Sequence, residues 1–448
     1  MPPDVSCDVA IIGAGAAGLA AARALSQSGL RVLVLEARPR TGGRVHSLHV
    51  SDLPLPVELG AEFIHGEVAT TFRIVDAAAL AACELPDDHW WSRGERWQRI
   101  DDFWERIDSV RAKIARLKRD VSFAEFLRKQ RIPPRLRELA CTFVEGYHAS
   151  HADRISALAL RSADHEQDED SGGNRQFRLA GGQDALLEWL RAGLDPERVE
   201  LRLGTVVHRV QWSDGDVRVE CHSAAARVTE RIRARALIVT IPIGVWKAAR
   251  DQEGAIAFDP PLREKERAVA KLEAGHVVKI AFRFRERFWD DPEYLAARGA
   301  AGPLNFLHTN DRFMPTWWTA APFRSPILTG WAGGTAADTL LAEGNDALTD
   351  RALDAMSAAF CVPRKRLDAL LVATWTHDWQ RDPFSRCAYS YAGVGGSGAH
   401  AELARPVRNT LFFAGEATSG DQTGTVAGAV DSGFRAAAEV IKKGKFRK

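Results

Sequence analysis

Asp8-Val9-Ala10-Ile11-Ile12-Gly13-Ala14-Gly15-Ala16-Ala17-Gly18-Leu19, running on to Val32-Leu33-Val34-Leu35-Glu36, is the stretch that decides the fold. Asp8 to Ile12 is apolar and β-branched, Leu19 to Leu25 is built of good helix formers, Gly29 ends the helix, and Val32 to Leu35 is apolar again. The pattern predicts a strand, a tight turn, a helix and a second parallel strand. In the turn, Gly13, Gly15 and Gly18 allow a sharp bend and close backbone approach, while Ala14 and Ala16 keep the helix start small and open. A pyrophosphate fits there against free amides. Glu36 ends the next strand, where an acid is placed to take ribose hydroxyls. Glycines, helix and acid together predict a dinucleotide site, FAD or NAD being open at this point.

The chain has 448 residues, roughly three domains by length. It is 46% hydrophobic and 27% charged, and 60 basic against 59 acidic side chains leave a formal charge of +1. That balance offers nothing to nucleic acid or a membrane surface. Cys7, Cys83, Cys141, Cys221, Cys361 and Cys387 are scattered, with no CxxC and no zinc spacing, so no metal is expected and a reduced, cytoplasmic setting is. Met1 to Cys7 lacks a basic leader, and Val9 to Ala22 is too short and too glycine-broken to span a bilayer. The basic tail from Lys442 to Lys448 reads as a solvated terminus.

Further along, Ile100, Phe103, Ile107, Val110, Ile114, Leu117 and Val121 predict an amphipathic helix with one face on its own domain. Ser162 to Asn174 is polar and acidic and reads as a surface loop. Thr205 to Val210, Ala236 to Thr240 and Val277 to Phe284 are strand-like, Pro260-Pro261 marks a crossing, and Leu411 to Ile441 is a closing βα pattern.

Beyond Glu36, the run Glu36-Ala37-Arg38 through Thr41-Gly42-Gly43-Arg44 resembles the second FAD-binding signature of the flavin-containing amine oxidase family. Glu58-Leu59-Gly60-Ala61-Glu62-Phe63-Ile64-His65-Gly66 is similar to the family's flavin-facing segment, in the His-Gly version of its polyamine-oxidase branch. Ile241 to Lys247 is similar to the stretch before the second crossing, and Val207 and Val210 match positions beside the adenine. Leu411 to Thr418 and Gly424-Thr425-Val426 match the last flavin-binding signature. The resemblance implies FAD, with Glu416 on the ribityl hydroxyls and the helix starting near Gly424 turned towards the flavin.

It also implies the site. Periodicity alone places Val277, Lys279, Ala281, Arg283 and Arg285 on one solvated basic face. Val278 to Phe282 followed by Phe288-Trp289, however, resembles the segment whose lysine holds a water at flavin N5, which makes Lys279 the catalytic residue, its proton affinity expected to be lowered by burial. Trp379 to Pro383 followed by Tyr389-Ser390-Tyr391 matches the segment supplying an aromatic wall. The other wall, a tyrosine in the monoamine-oxidase subtype, falls on Thr425. The family's linking cysteine falls on Ala388, so FAD is expected to be non-covalent and Cys387 a small buried side chain.

For substrate, Glu62, Glu145, Glu166, Asp168, Glu169 and Asp170 are read as drawing a polycation inward, with His65 near the mouth or in the tunnel. The expectation is an α/β protein: a doubly wound FAD domain (1–75, 175–260 and 386–448) and a discontinuous substrate domain with a mixed sheet and helices (76–174 and 261–385). It would oxidise an amine, a polyamine foremost, with dioxygen reduced to hydrogen peroxide, as a monomer or homodimer. The alternatives are a non-amine or amino-acid oxidase or desaturase of the same fold, and a non-catalytic flavin-binding interaction protein.

Overall fold

A computed structural model describes residues 5–162, 173–223 and 229–443. The strands Val9–Ile12 and Val32–Leu35 are buried at every residue, run parallel, and are joined by the helix Ala16–Ser26. They are the centre of a five-stranded parallel sheet ordered Val199–Arg202, Val32–Leu35, Val9–Ile12, Ala236–Val239, Leu411–Phe413. A parallel sheet covered on both faces needs apolar residues on both, which is why these strands read as unbroken runs. Three remote stretches of chain build this one sheet, and its order is that of a doubly wound fold.

A second five-stranded sheet includes Thr205–Ser213, which carries Val207. The largest sheet has seven strands, ordered Leu371–Thr376, Val277–Phe284, Ile327–Gly333, Thr316–Thr319, Phe306–His308, His89–Arg93, Arg96–Arg99. Only the Phe306–His308 and His89–Arg93 pair is parallel, so this is the expected mixed sheet. A small antiparallel sheet of Ile64–His65, Gln176–Leu179 and Ala82–Glu84 sets His65 and Arg178 on neighbouring strands.

The amphipathic stretch from Ile100 folds as a helix only over Phe103–Ile114, with Phe103, Ile107, Val110 and Ile114 buried against Phe123, Phe126 and Phe143. The chain then turns, and Ser122 starts another helix, Phe123–Lys129, its hydroxyl accepting the Glu125 amide at 3.2 Å. Ile100, Leu117 and Val121 reach the same core from the flanking turns.

The solvated basic face expected on Val277–Phe284 does not form. Val277, Lys279 and Ala281 are buried because other segments cover the face they share, Trp379 over Val277, Glu62 and Gly60 at Lys279, and Val57 and Leu59 on Ala281; Arg283 is partly buried on Asp52, and Arg285 is exposed. Residues 163–172 of the acidic loop and 444–448 of the basic tail lie outside the described residues. Among the described residues no helix is long and apolar enough to cross a membrane, and the six cysteines are unpaired.

Candidate functional site

One cavity of about 610 Å³ collects the remote segments. Gly13, Gly15 and Ala16 line it from the first turn, and Glu36, Ala37 and Arg38 from the end of the next strand. Gly43, Arg44, Gly60 and Ala61 line it from the following loops, Val207 from the second sheet, and Glu416, Thr425 and Val426 from the C-terminal segment. Glu62, His65, Lys279, Trp379, Tyr389 and Tyr391 face the same space. Of the residues expected in the site, Ala14 and Gly18 stand behind the wall. A Cβ on Gly18 would lie 1.9 Å from the Gly13 carbonyl oxygen, so the turn closes only on glycine.

The cradle end is made of backbone. Gly15 caps the helix Ala16–Ser26 without a side-chain cap and without an acid in the first turn, leaving amides and a partial positive charge at the cavity. Glu36 accepts the Ala14 amide at 2.7 Å and the Arg38 amide at 2.9 Å, which fixes its carboxylate with further lone pairs to offer. Above Gly15 a Cβ would meet only the Gly42 carbonyl, at 3.8 Å, so there is room for a phosphate to rest on backbone. Thr425 caps the C-terminal helix Val426–Lys443, its hydroxyl accepting the Gly428 amide at 2.9 Å. Open space over uncapped amides and a fixed carboxylate at strand end are what FAD needs, and the residues fit it.

The two arginines of the cradle are tied to protein partners. Arg38 reaches Asp382 at 2.6 Å and Ser385 at 2.8 Å, binding the first segment to the one after Trp379. Burial opposes a charged Asp382, but His377 and Arg38 outweigh it and hold the carboxyl far below its ordinary value. Arg44 meets Glu416 at 2.9 Å and the Ala388 carbonyl at 2.8 Å, and Glu416 also accepts the Ser390 hydroxyl at 2.8 Å. Ala388 lines the cavity beside these groups; the Cys387 sulfur turns to the Ser385 carbonyl, and burial pushes its thiol up to about 11.

The other end is made of side chains. Lys279 Nζ lies 2.6 Å from Glu62 and 3.1 Å from the Gly60 carbonyl. Glu62 also takes Arg178 at 2.7 Å and the Trp318 indole N–H at 3.0 Å. Burial pushes the Glu62 carboxyl up, but Lys279 and Arg178, with Trp318, prevail and hold it below the ordinary value. This corrects one expectation: Glu62, read as drawing in a polycation, is already taken by Lys279 and Arg178. Lys279 in turn is one member of a buried ion pair.

Trp379 is fixed by its indole N–H on the Leu59 carbonyl at 2.9 Å, and Tyr389 by its hydroxyl on the Tyr147 carbonyl at 2.7 Å. Their rings are held before the substrate space. The Tyr391 hydroxyl turns away, 3.2 Å from His151. Gly60 must be glycine here, since a Cβ would sit 1.9 Å from the Arg44 carbonyl and 3.2 Å from the Trp379 ring. Thr425 lines the cavity where a second tyrosine wall would stand.

His65 packs edge-on against Tyr147 with ring centroids 5.2 Å apart, and its Nδ1, like Nε2 of His148, is buried without a hydrogen-bond partner. Desolvation pushes the imidazoles down to about 4 and about 3, so both are neutral at pH 7. Glu145, read as a substrate acid, instead accepts the Ala152 amide and the Thr335 hydroxyl away from the cavity. Glu166, Asp168, Glu169 and Asp170 lie outside the described residues.

Arg178, Trp318 and His148 were not legible as site residues. One signal was available: a buried lysine demands a buried carboxylate, and Glu62 is the acid nearest the glycines that Lys279 must face. Among the described residues no cluster of His, Cys, Asp and Glu could hold a metal.

Residues 16–441 match the family model described as flavin containing amine oxidoreductase. The chain is 30% identical to polyamine oxidase 3 of Oryza sativa subsp. japonica, over 96% of this chain and 88% of that one. It is 29% identical to lysine-specific histone demethylase 1 homolog 3 of Arabidopsis thaliana over 97% of its own length, but spans only 30% of that protein. It superimposes on wild-type putrescine oxidase bound to putrescine with a TM-score of 0.79, 21% identity and coverage of 98% and 100% of the two chains, a likeness of fold.

Proposed function

Because the chain belongs to the family of flavin-containing amine oxidoreductases, we propose that it is an FAD-dependent amine oxidase acting at the carbon beside the nitrogen of a small amine. When bound, FAD supplies the two-electron acceptor: the amine becomes an imine that water splits to an aldehyde and ammonia or a smaller amine, and dioxygen is reduced to hydrogen peroxide. The observation that carries this reading is that the paired Lys279 and the backbone cradle open into one cavity.

Each group has a part. FAD would be held by the amides at the start of Ala16–Ser26 at its pyrophosphate, by Glu36 at a ribose, by Val207 at the adenine, and by Glu416, itself held by Arg44, at the ribityl hydroxyls. The capped start of Val426–Lys443 turns its partial positive charge into the cavity, where it favours negative charge. Lys279 Nζ, facing Glu62, acts as a charged donor that holds a water and stabilises negative charge developing beside it. Trp379 and Tyr389, pinned by their own hydrogen bonds, orient the amine and exclude bulk water.

The relatives' names include a polyamine and a putrescine oxidase, which supports an aliphatic amine of that size. The test is product analysis: purified, flavin-loaded chain should consume dioxygen and release aldehyde and hydrogen peroxide in equal amounts with at least one amine of a broad panel. A flavin-loaded chain that yields no aldehyde from any of them would end this reading and point to a non-amine donor.

A further inference from the structure

Glu62 and Arg178 also line a second, much smaller cavity of about 30 Å³, together with Glu58 and Ser325. Two polar atoms of that lining, Arg178 Nε and Ser325 Oγ, are buried with no hydrogen-bond partner among the described residues, their residues being only 5% and 2% exposed. Buried donors left unpaired are costly, so each calls for a partner that the cavity can supply. The space suits one or two waters, and its polar walls favour them. A water there accepts from Arg178 Nε and shares a hydrogen bond with the Ser325 hydroxyl.

Glu58 gives that water a second task. Its oxygens accept the Gln183 amide and the Ser47 hydroxyl, each at 2.7 Å, whereas Glu62 is taken by Lys279 at 2.6 Å and Arg178 at 2.7 Å. Burial pushes the Glu58 carboxyl up to about 7 in spite of its hydrogen bonds and of Lys279 nearby, so both of its forms are populated at neutral pH. In the acid form it has a proton to donate; the Gln183 amide cannot accept it, and the Ser47 hydroxyl already accepts the Asp184 amide at 3.2 Å. A water in the cavity can accept it, and can turn to donate when Glu58 ionises.

Resting on the amine-oxidase reading above, we propose that this cavity is a water site through which Glu58 joins the Lys279, Glu62 and Arg178 cluster, and that Glu58 is a positioning residue whose proton sets the charge the cluster presents to the reacting amine. With Glu58 protonated, one carboxylate faces two cations; with Glu58 ionised, two face two. Negative charge developing beside Lys279 is stabilised better in the first case. The other charged groups packed around Glu58 are Asp184, paired with His49 at 2.8 Å, and Arg283, paired with Asp52 at 2.7 Å. A comparison of proteins that differ only at Glu58 cancels their titration and that of the substrate.

Glu58→Gln keeps the shape and cannot ionise. With flavin-loaded protein under nitrogen, the limiting rate of flavin bleaching at saturating amine is measured from roughly pH 5.5 to 8.5. The ratio of wild type to Glu58→Gln should be near one at the acid end and fall about 10-fold at the alkaline end, and Glu58→Asp should restore a pH-dependent ratio. Infrared spectra of the same holoenzyme without amine give a second readout: a protonated-carboxyl band that fades as pH rises through about 7, is missing in Glu58→Gln, and shifts in Ser325→Ala, which removes a partner of the water. A ratio that stays flat across pH overturns the positioning role, and a band unmoved by Ser325→Ala overturns the water link. A holoenzyme that no amine bleaches ends the amine-oxidase reading instead, while the infrared band still decides the water site.

Discussion

The two ends of the cavity are built by different means. At the pyrophosphate end of the cradle, the work falls to backbone amides presented by a turn that Gly13, Gly15 and Gly18 allow, and these amides and Glu36 come from one βαβ unit. At the substrate end the work falls to side chains, with Glu62, Arg178, Lys279 and Trp318 arriving from separate elements to satisfy one another. The first end is specified by local geometry and tolerates little change in shape. The second is specified by charge balance, and there a substitution alters chemistry before it alters the fold.

The largest expected effect breaks the cradle alone. Gly18→Val puts a branched side chain where even a Cβ would fall 1.9 Å from the Gly13 carbonyl, so cofactor retention should drop by a factor of 10 or more, roughly. Flavin absorbance per protein after purification reads this, and full retention would show that the turn does not hold the cofactor.

Lys279→Met breaks the other end. The protein should stay yellow, because Lys279 touches Glu62 and Gly60 rather than the cradle helix, while turnover with amine falls on the order of 100-fold. Glu62 keeps Arg178 and Trp318, so what is lost is one of its partners and the fold should survive with a loss of about 1–3 kcal/mol, measured by denaturant unfolding. Unchanged turnover would remove Lys279 from the mechanism.

A smaller effect sharpens the contrast through pH. Glu58 lines a small second cavity together with Glu62, and burial pushes its carboxyl up to about 7 in spite of hydrogen bonds from Ser47 and the Gln183 amide. A folded value above the unfolded one means the contribution is full below the ordinary carboxylate range and is lost as pH rises through about 7. Wild type should therefore lose about 2 kcal/mol between roughly pH 5 and pH 8 that Glu58→Gln does not lose. Parallel unfolding curves for the two proteins across that window would refute it. Smallest is Thr425→Ala, which removes the cap of the C-terminal helix and should cost about 1 kcal/mol in unfolding free energy with modestly weaker flavin retention.

The same difference explains what could be read in the chain. The strands Val9–Ile12 and Val32–Leu35, the turn between them and Glu36 were legible because neighbouring residues produce them through turn and strand preferences. Lys279 was legible as a site residue only through family resemblance. Its alternating strand reads as a solvated face, and what buries it is remote chain laid on that face, with Glu62 and the Gly60 carbonyl against the amine itself. Arg178 sits in the short strand Gln176–Leu179 with no local mark of function, and its role exists only once that strand has paired with Ile64–His65. Glu62 was misread for the same reason, since a carboxylate looks free until its counter-charges are in place.

The measurement that bears most directly on the account is one anaerobic absorbance titration of the purified chain with hexylamine. Oxidised-flavin bands should be present at the outset, disappear as the amine is added, and return when air is admitted. A protein that carries no flavin, or whose flavin stays oxidised with this amine and with every other one offered, would contradict it.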